Sequence, residues 1–225
     1  MLIWQRVQMA KDDDVRVPIL DGSTAAASLA LRPLSPLDRA AVQALCAASF
    51  PIEYPECWFD EVVSGSLTSL GLFDDKQLVA MIVSETKNIS KCNLEDSDII
   101  SNQSALVVYI LSLAVSNDYR RMGLATRLLN CLFESVVNQP PYPRAVFLHV
   151  LSTNLPAINF YRSNGFRWHA SLLNYYRIGS GFGDGCTYVK YTNGQRPPLS
   201  ISEVLRLVGV VVCFPLKTLC KLFSY

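Results

Sequence analysis

The chain has 225 residues, half of them hydrophobic, and a formal net charge of +1. That is enough apolar material for one large domain with a full core, and so even a balance excludes a polyelectrolyte nucleic-acid binder or an acidic tail. Seven cysteines with no CxxC pair favour reduced thiols in a cytosolic compartment over a disulfide framework or a metal site.

The first 27 residues mix a charged run, Lys11 to Asp14, with a Ser/Thr/Ala stretch and predict a flexible N-terminal extension without a signal peptide. A domain is expected over 28–196. "SLALRPL" reads as a strand. Ser35, Pro36 and Asp38 then supply an N-cap, a proline at N1 and an acid at N3, so a helix is expected from there to Ala48. "FPIEYPE" is a turn leading to a short helix over Pro55–Ser64. "LTSLGLF" and "QLVAMIVSETK" read as a hairpin joined by Asp74, Asp75 and Lys76. Residues 88–104 are polar and predict a loop. "ALVVYILSLAV" is a buried strand, a helix follows over about 120–138, and "RAVFLHVLS" is a second buried strand. "NLPAINFYRSNG" predicts a short helix, and the domain closes with a hairpin over 166–178 and 184–192 whose tip holds Gly179, Gly181, Gly183 and Gly185. Strand–helix–strand in the middle, with meander strands before it and a hairpin after it, gives an α/β fold: a mixed sheet with a parallel central pair and flanking helices.

The start of the long helix breaks two rules. Arg120 and Arg121 put cations at the positive end of a helix dipole, and Gly123 is a poor helix former. Both oddities make sense if an anion binds there. Backbone N–H groups at a helix start cradle phosphate, glycine lets it approach, and the arginines add charge. Arg120-x-x-Gly123-x-Ala125 after a buried strand resembles the pyrophosphate-binding segment of the GNAT acetyltransferases. "FPIEYP", "YILSLAV", "LHVLSTNLPAINFY" and the late "YY", in this order, are similar to the N-terminal acetyltransferase branch of that family, over about residues 28–196.

The resemblance implies the acyl-CoA N-acyltransferase fold, with its parallel strands splayed to admit the cosubstrate, acetyl-CoA. Arg120, Arg121, Met122, Gly123, Leu124, Ala125 and Thr126 would hold the phosphates. The backbone of Leu113, Ala114 and Val115 would meet the pantetheine amides, and Asn154 and Tyr161 would reach the pantetheine arm near the sulfur. Asn154 reads equally as the N-cap of its helix, and the two roles are compatible. Tyr109 and His149 stand where the family keeps its two proton-handling residues. A modest base suffices, because an α-amine titrates about 2.5 units below lysine, worth about 3.4 kcal/mol. Phe50, Pro51, Ile52, Glu53, Tyr54, Tyr175 and Tyr176 would hold a peptide beginning with Met. Asn174 before the tyrosine pair, and Ser171 to Leu173 on the approach, depart from the family pattern and bear on peptide preference. Two alternatives stay open: a lysine or small-amine acetyltransferase, and a non-catalytic acyl-CoA-binding protein.

The last segment, residues 197–225, differs from the domain. Ten uncharged residues from Leu207 to Leu216 fall well short of the roughly 20 needed to cross a bilayer. Arg206, Lys217 and Lys221 flank them and Pro215 should kink them, so an amphipathic helix lying in a membrane surface is expected. The resemblance implies the cytosolic face of an internal membrane, the Golgi, with protein N-termini as partners. Cys213 and Cys220 are candidate acylation sites. No metal or nucleic acid is expected.

Overall fold

The computed structural model describes residues 16–17 and 29–198. The remaining extension and the segment from 199 onward, with its expected membrane helix, lie outside the described residues.

Among the described residues, eight strands form one mixed sheet: β1 (Arg16–Val17), β2 (Leu29–Pro33), β3 (Thr68–Asp74), β4 (Gln77–Asn88), β5 (Leu106–Val115), β6 (Ala145–Leu151), β7 (Arg167–Ile178) and β8 (Gly181–Tyr191). Their order is β1-β2-β3-β4-β5-β6-β8-β7. β5 and β6 are parallel, whereas every other neighbouring pair is antiparallel. β1 pairs Arg16 with Ala30, so a short piece of the N-terminal stretch adds an edge to the sheet.

Four α-helices of the described residues cover the sheet: α1 (Arg39–Ser49), α2 (Glu56–Ser64), α3 (Leu124–Leu132) and α4 (Leu155–Ser163). The expected start at Ser35 is a 3-10 turn, Pro36–Asp38, before α1 takes over at Arg39. Asp38 anchors that turn. Its carboxylate accepts from Ser35 N–H at 2.8 Å and from Arg32 at 2.7 and 2.8 Å. Burial alone would raise the Asp38 carboxyl, but the bonds from Arg32 and Ser35 outweigh it and hold it below the usual carboxylate range.

α1 and α2 bury Val42, Leu45, Trp58, Phe59 and Val62 on one face of the sheet, against Phe73, Met81, Val83 and Ala114. α3 and α4 bury Leu124, Leu128, Leu132, Ile158 and Tyr161 on the other, against Ile82, Ile110 and Leu148. The apolar stripe of α3 is the one its 3.6-residue period predicts. Instead of running to 138 as one α-helix, the segment widens after Leu132 into a π-helical turn, Phe133–Val137.

Two further details shape the site. Ser84 pairs with Ile110 and Val83 with Ser112, so Leu111 is an extra residue that reverses the in–out alternation of β5. The polar stretch over 88–104 is indeed mostly irregular, yet it is not a free loop. Ile89, Ile99 and Ile100 are buried against Val107, Ala145, Phe147 and Val189, which lays the segment flat across the sheet.

Candidate active site

β5 and β6 pair from Val107–Ala145 to Ile110–Leu148. Beyond that point β5 runs on to Val115 and β6 to Leu151 without bonding to each other, while β5 stays bonded to β4. The edge of β5 over 111–115 therefore turns its backbone polar groups toward a gap, and such groups require partners. Leu113, Ala114 and Val115, the residues expected to meet the pantetheine arm, lie on this edge.

The chain leaves β5 through a 3-10 turn, Asn117–Tyr119, and α3 begins only at Leu124. Arg120 and Arg121 are thus not in the first turn of the helix, which corrects the sequence expectation. Arg120 is extended, Arg121 is left-handed with φ 66, and Gly123 caps α3 with φ 76. The conflict between cations and helix dipole vanishes, because both arginines precede the helix in an exposed loop. The first helical bond runs from Arg127 N–H to the Gly123 carbonyl, leaving the N–H groups of Leu124, Ala125 and Thr126 at the open end. A Cβ on Gly123 would meet nothing within 4 Å, so the space above the helix start is open. Arg121, Met122, Gly123 and Thr126 are exposed around it. Tyr119 Oη donates to Asp74 Oδ2 at 2.6 Å and ties the loop to the β3–β4 turn.

At the place where β5 and β6 part, Tyr109 and His149 come together. Tyr109 Oη lies 3.0 Å from His149 Nδ1, Tyr175 Oη lies 2.7 Å from the same nitrogen, and His149 Nε2 lies 2.9 Å from Asp96 Oδ1. The His149 and Asp96 side chains are only 2% and 3% exposed. Asp96 as a carboxylate can only accept, so Nε2 carries a proton and, in the neutral ring, Nδ1 is left as an acceptor for a phenol. Burial first, then the neighbouring Tyr175 and Tyr176, push the Tyr109 phenol far up. Burial likewise pushes Tyr175 up to about 12, even though a bond from Tyr109 pulls the other way. Both phenols are therefore protonated at neutral pH, and they share the one lone pair of the ring nitrogen while Tyr109 also bonds Tyr175.

Asp96 was not legible as a functional residue. It sits 53 positions from His149, in a polar run with no motif spacing. Only the Ile99-Ile100 pair, odd in so polar a stretch, signals that this segment packs down. The chain's other histidine is held in the same way: His169 Nε2 lies 2.9 Å from Asp98 Oδ1, so one segment bonds both histidines.

Of the remaining predicted residues, Phe50 to Tyr54 lie between α1 and α2, and Asn154 and Tyr161 at and in α4. Tyr54 stacks on Trp58 at 4.2 Å and meets Phe50 edge-on at 5.8 Å, forming a rigid aromatic wall. Pro51 and Glu53 are exposed and Ile52 is half-buried. Tyr161 is buried in α4, and burial pushes its phenol up. Asn154 caps α4 through Ala157 N–H at 3.2 Å. In the last hairpin, Gly181, Gly183 and Gly185 belong to β8 and not to the tip, where Gly179 stands alone among them.

Residues 39–166 match the Acetyltransferase (GNAT) family. The chain belongs to the GNAT acetyltransferase family. Within it, the chain is 37% identical to N-alpha-acetyltransferase 60 of Danio rerio over 192 residues, covering 83% of this chain and 79% of the relative. It is 34% identical to N-alpha-acetyltransferase 60 of Drosophila melanogaster, covering 78% and 73%. The crystal structure of Arabidopsis thaliana NAA60 in complex with a bisubstrate analogue superposes with a TM-score of 0.69 at 28% identity, covering 75% of this chain and 100% of that one. A second structure of the Arabidopsis protein, in complex with acetyl-CoA, gives 0.68. This GNAT protein is an N-alpha-acetyltransferase.

Proposed function

We propose that the enzyme moves acetyl from acetyl-CoA to the α-amine of proteins beginning with Met, at the cytosolic face of an internal membrane such as the Golgi. The observation that carries this reading is the buried Asp96–His149 pair, bonded to two phenols where β5 and β6 part. Acetyl-CoA is the cosubstrate, and it supplies an activated thioester. The chain fits it: the unpaired edge of β5 offers amide partners, and the open space at Gly123 admits phosphate beside Arg120 and Arg121.

Each residue then has a task. The N–H groups at the start of α3 and the two arginines hold the diphosphate. Leu113 to Val115 orient the pantetheine arm along β5. His149 receives the proton that the amine gives up, directly or through Tyr109 and Tyr175, and Asp96 fixes which ring nitrogen accepts. The phenol of Tyr161, kept protonated by burial, donates to the departing thiolate. Phe50, Pro51, Ile52 and Tyr54 enclose an apolar first side chain, while Glu53 and Tyr176 meet the peptide beyond it. Since an α-amine needs a weaker base than lysine, this site suits N-termini.

Among the described residues no helix is long and apolar enough to cross a membrane. The sequence of 197–225 is the proposed interfacial anchor, its uncharged run Leu207–Leu216 flanked by Arg206, Lys217 and Lys221. A single experiment tests substrate and location. Full-length protein and a form ending at Pro198 are given acetyl-CoA and Met-starting peptides with free or blocked N-termini, in the presence of anionic vesicles. Both forms should acetylate only free N-termini, and only the full-length protein should sediment with vesicles. Equal acetylation of blocked, lysine-bearing peptides would contradict the substrate reading. Sedimentation of the shortened form would contradict the anchor.

A further inference from the structure

The hairpin that brings Tyr175 to His149 is irregular in one place. Leu172 stands opposite Gly185 and Tyr176 opposite Gly183, so Leu173, Asn174 and Tyr175 share a single residue, Asp184, across the ladder. In an unbroken strand, Tyr175 and Tyr176 would point to opposite faces. The bulge breaks that alternation, leaving the two rings edge-to-face at 5.0 Å with the Tyr175 hydroxyl on His149.

Asp184 holds this bulge. Its Oδ1 accepts from the N–H of Asn174 at 2.8 Å, and Asn174 is in the left-handed region with φ 52, a conformation that asparagine tolerates better than most residues with a Cβ. The backbone of Asp184 is itself fixed, because its carbonyl accepts from Ser152 N–H at 2.8 Å at the end of β6. The glycines on either side make room for the rings and their neighbours. A Cβ on Gly185 would lie 3.2 Å from Tyr176 Cε2 and 3.3 Å from Tyr175 Cβ, and one on Gly183 would lie 2.8 Å from Leu151 Cδ1. A carboxylate from one strand thus sets where a phenol on the other strand stands relative to the ring nitrogen.

We infer that Asp184 is a positioning residue whose carboxylate pins the Asn174 bulge and thereby keeps the Tyr175 hydroxyl on His149 Nδ1. The inference rests on His149 as the proton acceptor and on Tyr175 as its partner. The Asp184 carboxylate bonds the Asn174 N–H rather than either of them, and acts through the shape of β7. Its removal should slow turnover and leave acetyl-CoA binding alone, because the phosphate loop and β5 belong to a different part of the sheet.

The test is a double-mutant cycle on acetylation of a Met-starting peptide, using the full chain. Asp184→Ala should lower kcat about fivefold with the KM for acetyl-CoA unchanged. Asp184→Asn retains an acceptor oxygen and should restore kcat to within about twofold of wild type. In a Tyr175→Phe background, Asp184→Ala should cost nothing further. An undiminished kcat for Asp184→Ala, or an equal loss in both backgrounds, would overturn the inference. His149→Ala, run alongside, separates the two levels. If it is inactive while Asp184→Ala is unaffected, only the positioning role fails; if it turns over like wild type, the proton-acceptor assignment fails and the inference falls with it.

Discussion

His149 has a single lone pair to offer, and three side chains compete to decide where it points. Asp96 accepts a hydrogen bond from Nε2–H, and two phenols gather at Nδ1. The carboxylate and the two protonated phenols favour the same tautomer, and the carboxylate is the group that faces Nε2. Asp96→Asn allows an amide N–H to face Nε2 and turn the acceptor away from the phenols. It should therefore lower kcat on the order of 10²-fold, with the KM for acetyl-CoA little changed, in steady-state assays on a Met-starting peptide. A kcat within about twofold of wild type would remove Asp96 from the proton path. Tyr109 and His149 were legible in the sequence because the resemblance put them on two adjacent strands. Asp96 was not: its link to His149 depends on how the 88–104 segment lies across the sheet, and spacing along the chain carries no trace of that.

Elements rather than single residues explain the phosphate loop. The apolar period of Leu124, Leu128, Leu129 and Leu132 located α3 correctly, but periodicity cannot see where the left-handed residues fall. Arg121 and Gly123 both have positive φ, and together they turn the chain sharply before the helix begins. The helix start thereby faces outward with its N–H groups free. Gly123→Ala meets no atom within 4 Å, so its cost is conformational rather than steric: about 1–2 kcal/mol of backbone strain. If the loop relieves that strain by turning, the N–H groups lose their aim. Calorimetry should then show acetyl-CoA bound about tenfold more weakly, with the melting temperature nearly unchanged. Unaltered affinity would mean that the loop's shape is not what grips the diphosphate. The hairpin teaches a related lesson. Gly181, Gly183 and Gly185 recur at a period of two, which is the mark of one face of a strand rather than of a turn.

Across the whole molecule, the site exists because a parallel pair is left incomplete. β5 and β6 stop pairing after Ile110 and Leu148, and the extra residue Leu111 turns the rest of β5 so that Ala114 faces α1 and α2 while Leu113 and Val115 pack toward α3. The sequence showed two apolar strands around a helix, from which a parallel pair follows. The point of separation depends on register, which is decided by packing on both faces at once and so could not be read from either strand alone. Helices cover both faces of the sheet, and the segment over 88–104 and the final hairpin bring Asp96 and Tyr175 to His149 where the strands part. The most direct check is turnover of a Met-starting peptide by His149→Ala and Tyr109→Phe at saturating acetyl-CoA, with cosubstrate binding followed by calorimetry. Acetyl-CoA should bind both variants as it binds the wild type, while kcat falls on the order of 10²-fold for His149→Ala and less for Tyr109→Phe. Full turnover by His149→Ala, with binding intact, would contradict the account.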